Sequence, residues 1–134
     1  QNFFRGPVAA SGDQIESPHV RVRGAAASVP LGATGQAAVR PEFVRITPAA
    51  AGPAIIEVNA VRGRVIGVSH LGETMQYLVS IGEDQSLVVR RPTPEAPALS
   101  IGDDVVCTWA PGDVLLFPAD DAAIAGGYVA PPTL

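Results

Sequence analysis

Few side chains in this sequence are suited to catalysis, and they are not grouped. The two histidines, His19 and His70, lie far apart, and no serine or cysteine motif is placed to use either one as a base. The single cysteine, Cys107, excludes an internal disulfide and a zinc cluster, and its apolar neighbours predict a small buried side chain. The paired aspartates at 103–104 and 120–121 are typical of solvated turns. The sequence therefore favours a non-enzymatic protein with no cofactor and no metal site.

The charged residues describe an acidic chain whose only basic side chain is arginine. Its 13 acidic and 9 basic residues give a formal charge of -4, which argues against a polyanion such as nucleic acid as a partner. An aromatic content of 5% leaves few platforms on which bases could stack. Because the chain has no lysine, it lacks the residue with which a Walker A loop contacts the β- and γ-phosphates.

Composition predicts an all-β protein with its own core. Hydrophobic residues make up 47% of the 134 residues, which is enough to bury a core. The 14 glycines and 13 prolines lie between short apolar runs, and this spacing favours strands and turns over helices. No apolar run approaches the roughly 20 residues that a spanning helix needs, so we expect no direct insertion into a membrane.

The stretch 61–81 predicts a central hairpin. Its second strand alternates with a period of two, as a half-buried strand does. Four large apolar residues share the inner face of that strand: Met75, Tyr77, Val79 and Ile81. In the first strand the alternation slips at Gly67, which predicts a β-bulge that bends the hairpin. Val105 and Trp109 are expected in the same core, with the Trp109 N–H hydrogen-bonded.

The remaining strands suggest an internal duplication. They are expected at 2–10, 15–23, 37–40, 43–46, 87–90, 105–109 and 114–117. The run Arg5-Gly6-Pro7-Val8 returns as Arg62-Gly63-Arg64-Val65, and Pro41 and Pro111 each follow a strand. Two related units, about 2–47 and 54–117, would form OB-like small barrels, with 118–134 as a tail.

Four motifs occur in order along residues 2–117. They are the opening Asn2-Phe3-Phe4-Arg5-Gly6-Pro7-Val8, the strand and turn Val39-Arg40-Pro41-Glu42, the hairpin from Gly63 to Tyr77, and the closing segment from Leu99 to Phe117. Together they resemble the TOBE (transport-associated OB) domain at the C-terminus of ATPase subunits in bacterial ABC importers. The pattern is most similar to the branch that imports spermidine/putrescine, ferric iron and similar solutes. One departure is Gly112, which lengthens the last turn.

The resemblance implies a non-catalytic regulatory and dimerisation domain. Its implied partners are its own ATPase domain, the second ATPase subunit of a homodimer and, through the parent protein, the membrane permease subunits. The implied location is cytoplasmic, peripheral at the inner face of the plasma membrane. The run 31–36, LGATGQ, superficially resembles the ABC signature sequence, but a plain turn explains it because no following helix is predicted.

A second hypothesis is a small-molecule or oxyanion sensor whose barrel cleft binds the transported solute. Related molybdate-binding modules begin with Ser-Ala-Arg-Asn. The opening Asn2-Phe3-Phe4 does not carry that motif.

Three residues are the candidates for contact with a partner. Arg40 and Glu42 flank Pro41 at the end of a strand, where they can pair with each other or with a partner subunit. His70 stands at the corner of the central hairpin, where it can contact another chain or remain solvated.

Overall fold

The structure, a computed structural model, describes residues 1–9, 12–25, 32–50 and 59–119, which form ten β-strands, three short 3₁₀ turns and no α-helix. In spatial order the first sheet contains β10 (Val114–Pro118), β4 (Thr34–Val39), β1 (Asn2–Ala9), β2 (Gln14–Glu16) and β3 (Arg21–Arg23). The second contains β5 (Arg45–Pro48), β9 (Asp104–Trp109), β6 (Asn59–Leu71), β7 (Thr74–Gly82) and β8 (Gln85–Pro92). The predicted all-β fold of small OB-like barrels from two related units is confirmed.

Each sheet includes one strand from the other half of the sequence. β5 follows β4 in the chain but pairs with β9, which places Ile46 opposite Cys107. β10 returns to the first sheet, where Leu115 lies opposite Ala38. The 3₁₀ turns Pro41–Phe43 and Pro111–Asp113 make the two crossings. Neither predicted unit, 2–47 or 54–117, therefore contains every strand of one sheet, and the division itself stays a prediction.

The central hairpin carries the predicted bulge. Val65 lies opposite Val79 and Gly67 opposite Leu78, so Ile66 is the extra residue on β6. On β7 the burial alternates as expected, with the four apolar residues buried on the inner face. Gly63 is required by close packing, because a Cβ there would lie 2.6 Å from the carbonyl oxygen of Ser80.

One hydrophobic core joins the two sheets. It contains the five residues predicted to share it: Met75, Tyr77, Val79, Val105 and Trp109. The indole of Trp109 stacks on the ring of Phe4, with centroids 5.3 Å apart and planes 15° from parallel. The expectation for the Trp109 N–H was wrong, because within the described part of the chain its Nε1 has no hydrogen-bond partner.

Two predicted strands differ from the observed ones in their bounds. The stretch 15–23 is not one strand but β2 and β3, which are paired across a turn at 17–20. Pro18 has no N–H for a ladder, and Ser17 bonds back to the Val20 carbonyl through its own backbone N–H at 3.2 Å. Phe43 lies in a 3₁₀ turn and not in a strand, because proline is favoured at the first position of such a turn and Pro41 occupies it.

The sheets are also joined by polar contacts. Asn2 and Asn59, both 4% exposed, each bond through the side chain to the backbone of an edge strand in the other sheet. Among the residues that the structure describes, no helix is long and apolar enough to cross a bilayer.

Candidate functional site

The turn Pro41–Phe43 presents two side chains outward where the chain crosses between the sheets. The backbone N–H of Phe43 donates to the Arg40 carbonyl at 3.0 Å and so closes the turn. Pro41 is buried, whereas Glu42 and Phe43 are exposed, and 44% of Phe43 is accessible to solvent. The closed turn thus holds an aromatic side chain partly accessible to solvent.

Phe43 borders a shallow groove on the surface of the paired strands β4 and β10. The groove has a volume of about 260 Å³ and is also lined by Ala38, Arg40, Asp113 and Leu115. Leu115 is 58% exposed, and its cross-strand partner Ala38 has too small a side chain to fill the space beside it. The groove is therefore an apolar depression with charged residues at its rim.

A second groove borders the other side of Phe43. It measures about 200 Å³, and Glu42, Arg45 and Arg91 are among the residues that line it. The guanidinium of Arg91 donates to the Glu42 carbonyl at 3.1 Å and to the Glu95 carboxylate at 3.1 Å. These bonds tie β8 to the turn and hold Glu42 in place.

We call the residues around these two grooves the Phe43 surface: Phe43, Leu115, Arg40, Glu42, Arg45 and Asp113. None of its four charged side chains forms an ion pair within the described part of the chain. The Phe43 surface therefore combines two exposed apolar side chains with charges of both signs.

The structure brings together two of the three predicted contact residues. Arg40 and Glu42 both belong to the Phe43 surface, and they do not pair with each other within the described residues. His70 is exposed at the hairpin corner, opposite Met75, and lines neither groove. The role of all three residues in binding stays a prediction.

Sequence reasoning missed Phe43, Leu115, Arg45 and Asp113. The signal available was the duplication itself, since Pro41-Glu42-Phe43 and Pro111-Gly112-Asp113 occupy equivalent places. A proline that opens a 3₁₀ turn leaves the residues after it outside the ladder, and that excludes a strand at Phe43.

Two findings describe the reactive side chains of the described interior. Burial raises the pKa of the Cys107 thiol to about 12, so the thiol remains protonated at neutral pH and is a poor nucleophile. Within the described ranges, no three histidine, cysteine or acidic side chains come together to hold a metal ion.

Residues 37–117, more than half of the chain, match the sequence model of the TOBE domain. This chain belongs to the TOBE domain family. The match spans the Phe43 surface and the central hairpin, which are therefore parts of the TOBE domain. Among curated proteins no sequence matches the chain significantly.

The fold of this TOBE domain is similar to that of ModG, a cytoplasmic molybdate-binding protein solved with molybdate bound. The TM-score is 0.76, and the alignment covers 87% of this chain and 94% of that one. Sequence identity is 14%, so the similarity shows the fold alone.

Proposed function

We propose that this TOBE domain is the non-catalytic regulatory and dimerisation domain of the ATP-binding subunit of an ABC importer. Its partners would be its own ATPase domain and the second ATPase subunit, and the parent protein would contact the membrane permease subunits. The transported solute would be a polyamine, ferric iron or a similar solute, and the complex would hold the domain at the cytoplasmic face of the membrane.

The observation that carries this proposal is the Phe43 surface. It combines an exposed aromatic side chain, an exposed leucine and four charges unpaired among the described residues, next to a core that is filled by side chains. A domain with a packed interior and an exposed apolar surface would act by binding another protein through that surface. Contact that differs between the open and closed ATPase pair would shift that equilibrium without any chemistry in this domain.

The first test is the reading frame that encodes this chain. An ATPase with Walker A and signature motifs, upstream and in frame, is expected. A frame that encodes no ATPase would contradict the proposal. The chain alone should show no ATP hydrolysis, because it contains no lysine for a Walker A loop.

The second test uses the encoded full-length subunit and compares Phe43→Ala with Ile101→Ala. Ile101 is 70% exposed and lies outside the Phe43 surface, so it is a matched control for the loss of an exposed apolar side chain. Phe43→Ala should change the ATPase rate and weaken subunit association in sedimentation velocity, whereas Ile101→Ala should change neither. Equal effects of the two variants would remove the Phe43 surface from the proposal.

A second candidate function is a sensor of a small oxyanion. The similarity of this fold to a protein solved with molybdate bound favours it. A ligand that binds only the folded state raises the melting temperature as its concentration passes Kd. A thermal shift with molybdate, absent with chloride at equal ionic strength, would support the sensor. An unchanged melting temperature at millimolar molybdate would exclude molybdate as its ligand.

A further inference from the structure

The outer face of the second sheet is rich in arginine, although the chain as a whole is acidic. Four exposed arginines lie on its strands, at Arg45, Arg62, Arg64 and Arg90. Among the described strand residues of that face, one is acidic, Asp104. Its carboxylate accepts a hydrogen bond from Nε of Arg64 at 3.2 Å. The face therefore carries an excess of positive charge.

Arg62 and Arg64 form the centre of this face. They are separated by one residue on β6, so they point to the same side of the sheet, roughly 7 Å apart along the strand. The side chain of Arg62 forms no hydrogen bond or ion pair within the described part of the chain. Arg64 uses Nε for Asp104, which leaves its terminal nitrogens available.

An exposed aliphatic side chain lies next to the two arginines. Ile66 is the extra residue of the β6 bulge and is 46% exposed. Arg62, Arg64, Ile66, Ser80 and Asp104 line one shallow, open groove, which shares no residue with the two grooves beside Phe43. Two guanidinium groups and an isoleucine thus follow one another along the strand.

We infer that this groove binds an acidic, extended segment of a partner protein, with two carboxylates separated by one residue and an aliphatic residue beyond them. In an extended segment alternate side chains lie on one face, at the same spacing as Arg62 and Arg64, and Ile66 at the bulge lies beyond them. Guanidinium groups bind carboxylates through paired hydrogen bonds, so two such pairs determine both position and direction. The isoleucine selects the aliphatic residue.

A nucleic acid fits this groove less well. Single-strand binding needs aromatic side chains on which bases stack, and the groove is lined by none. The formal charge of -4 on the chain also disfavours a long polyanion such as a phosphate backbone.

Fluorescence anisotropy with a labelled synthetic peptide tests the inference. The peptide contains two glutamates separated by one threonine, followed by a threonine and a valine. One control peptide has glutamines in place of the glutamates, and a second has the two glutamates adjacent. The protein variants are Arg62→Ser and, on the same face but bonded to Gln76 at 2.7 Å, Arg90→Ser as the matched control.

The intact chain should bind the first peptide, the binding should weaken with salt, and both control peptides should bind more weakly. Arg62→Ser should weaken binding about tenfold, because one charge-assisted pair is lost, and Arg90→Ser should leave it unchanged. Since Arg62 is exposed, both variants should keep the wild-type circular dichroism spectrum, and Arg62→Gln provides a second substitution.

Three outcomes would overturn the inference. They are no binding at millimolar peptide, equal affinity for wild type and Arg62→Ser, and tighter binding of a single-stranded oligonucleotide than of the peptide. None of them bears on the Phe43 surface, so this inference and the proposed function can fail separately.

Discussion

Asn2 and Asn59 occupy equivalent positions in the two halves of the chain, and each forms two hydrogen bonds with an edge strand of the other sheet. The Oδ1 atom of Asn2 accepts from the Val88 N–H at 2.7 Å, and its Nδ2 donates to the Val88 carbonyl at 2.9 Å. Asn59 makes the same pair of bonds with Arg23, at 2.7 and 2.8 Å. At each edge strand, one side-chain carboxamide thus takes the place of a neighbouring strand's backbone. It satisfies a backbone N–H and a carbonyl that have no strand beside them.

The first prediction concerns these asparagines. Asn2→Ala and Asn59→Ala should each lower the free energy of unfolding by about 1–3 kcal/mol, because a partly buried backbone N–H and carbonyl lose their partner. Urea denaturation measures the change. Gln85→Ala is the control, since Gln85 donates to the Phe3 carbonyl at 3.2 Å in an exposed position, and its loss should cost under about 0.5 kcal/mol. Equal effects of the three variants would show that the asparagines do not join the sheets.

The second prediction compares two glycines on β6. Gly63→Ala would bring a Cβ to 2.6 Å from the Ser80 carbonyl oxygen, which the neighbouring strand cannot accommodate without a shift. It should destabilise the fold by about 1–3 kcal/mol. Gly67→Ala meets the Leu78 Cβ at 3.3 Å and should cost less than half as much. Thermal denaturation of the two variants tests the order, and the reverse order would contradict the packing of this hairpin.

The third prediction concerns the unpaired indole of Trp109. Trp109→Ala removes the ring that stacks on Phe4 and should cost about 3–5 kcal/mol. Trp109→Phe keeps a ring and removes a buried N–H that has no partner within the described residues, so it should cost less than half of that. Guanidinium denaturation followed by circular dichroism compares the variants. A similar loss in both variants would contradict this prediction.

The fourth prediction concerns stability at high pH. The pKa of Cys107 is about 12 when folded, because burial disfavours the thiolate, and about 8.5 in an unfolded chain. The unfolded thiol therefore loses its proton first. Proton loss from the unfolded thiol favours the unfolded state. The free energy of unfolding is therefore unaffected by Cys107 below about pH 8.5, and it falls by up to about 1.4 kcal/mol per pH unit as the pH rises towards the folded pKa.

Cys107→Ala should remove this dependence. Urea denaturation between pH 8 and pH 10.5 should give a shallower slope of unfolding free energy against pH in the variant than in wild type. Only the slopes are compared, because the substitution also changes core packing and shifts the whole curve. Parallel slopes would show that the thiolate is tolerated in the folded core.

Local patterns were enough to predict much of this protein. Alternation along β7 determines that Met75 and Tyr77 face inward, because side chains on a strand repeat with a period of two whatever the strand pairs with. The break in alternation at Gly67 on β6 predicted the bulge, and the motif order from Asn2 to Phe117 predicted the family. The alternation, its break and each single motif lie within a short stretch of chain.

The pairing of distant strands was decided by the tertiary structure. Nothing adjacent to Ile46 or Leu115 specifies that their strands cross to the opposite sheets, since pairing depends on which edges are open once both sheets curl. The bonds of Asn2 with Val88 depend on the same closure, because the two residues are 86 positions apart. The Phe43 surface also depends on how the chain crosses between the two sheets. The crossing turn leaves Phe43 outside both sheets, and only the folded chain brings Leu115 beside it.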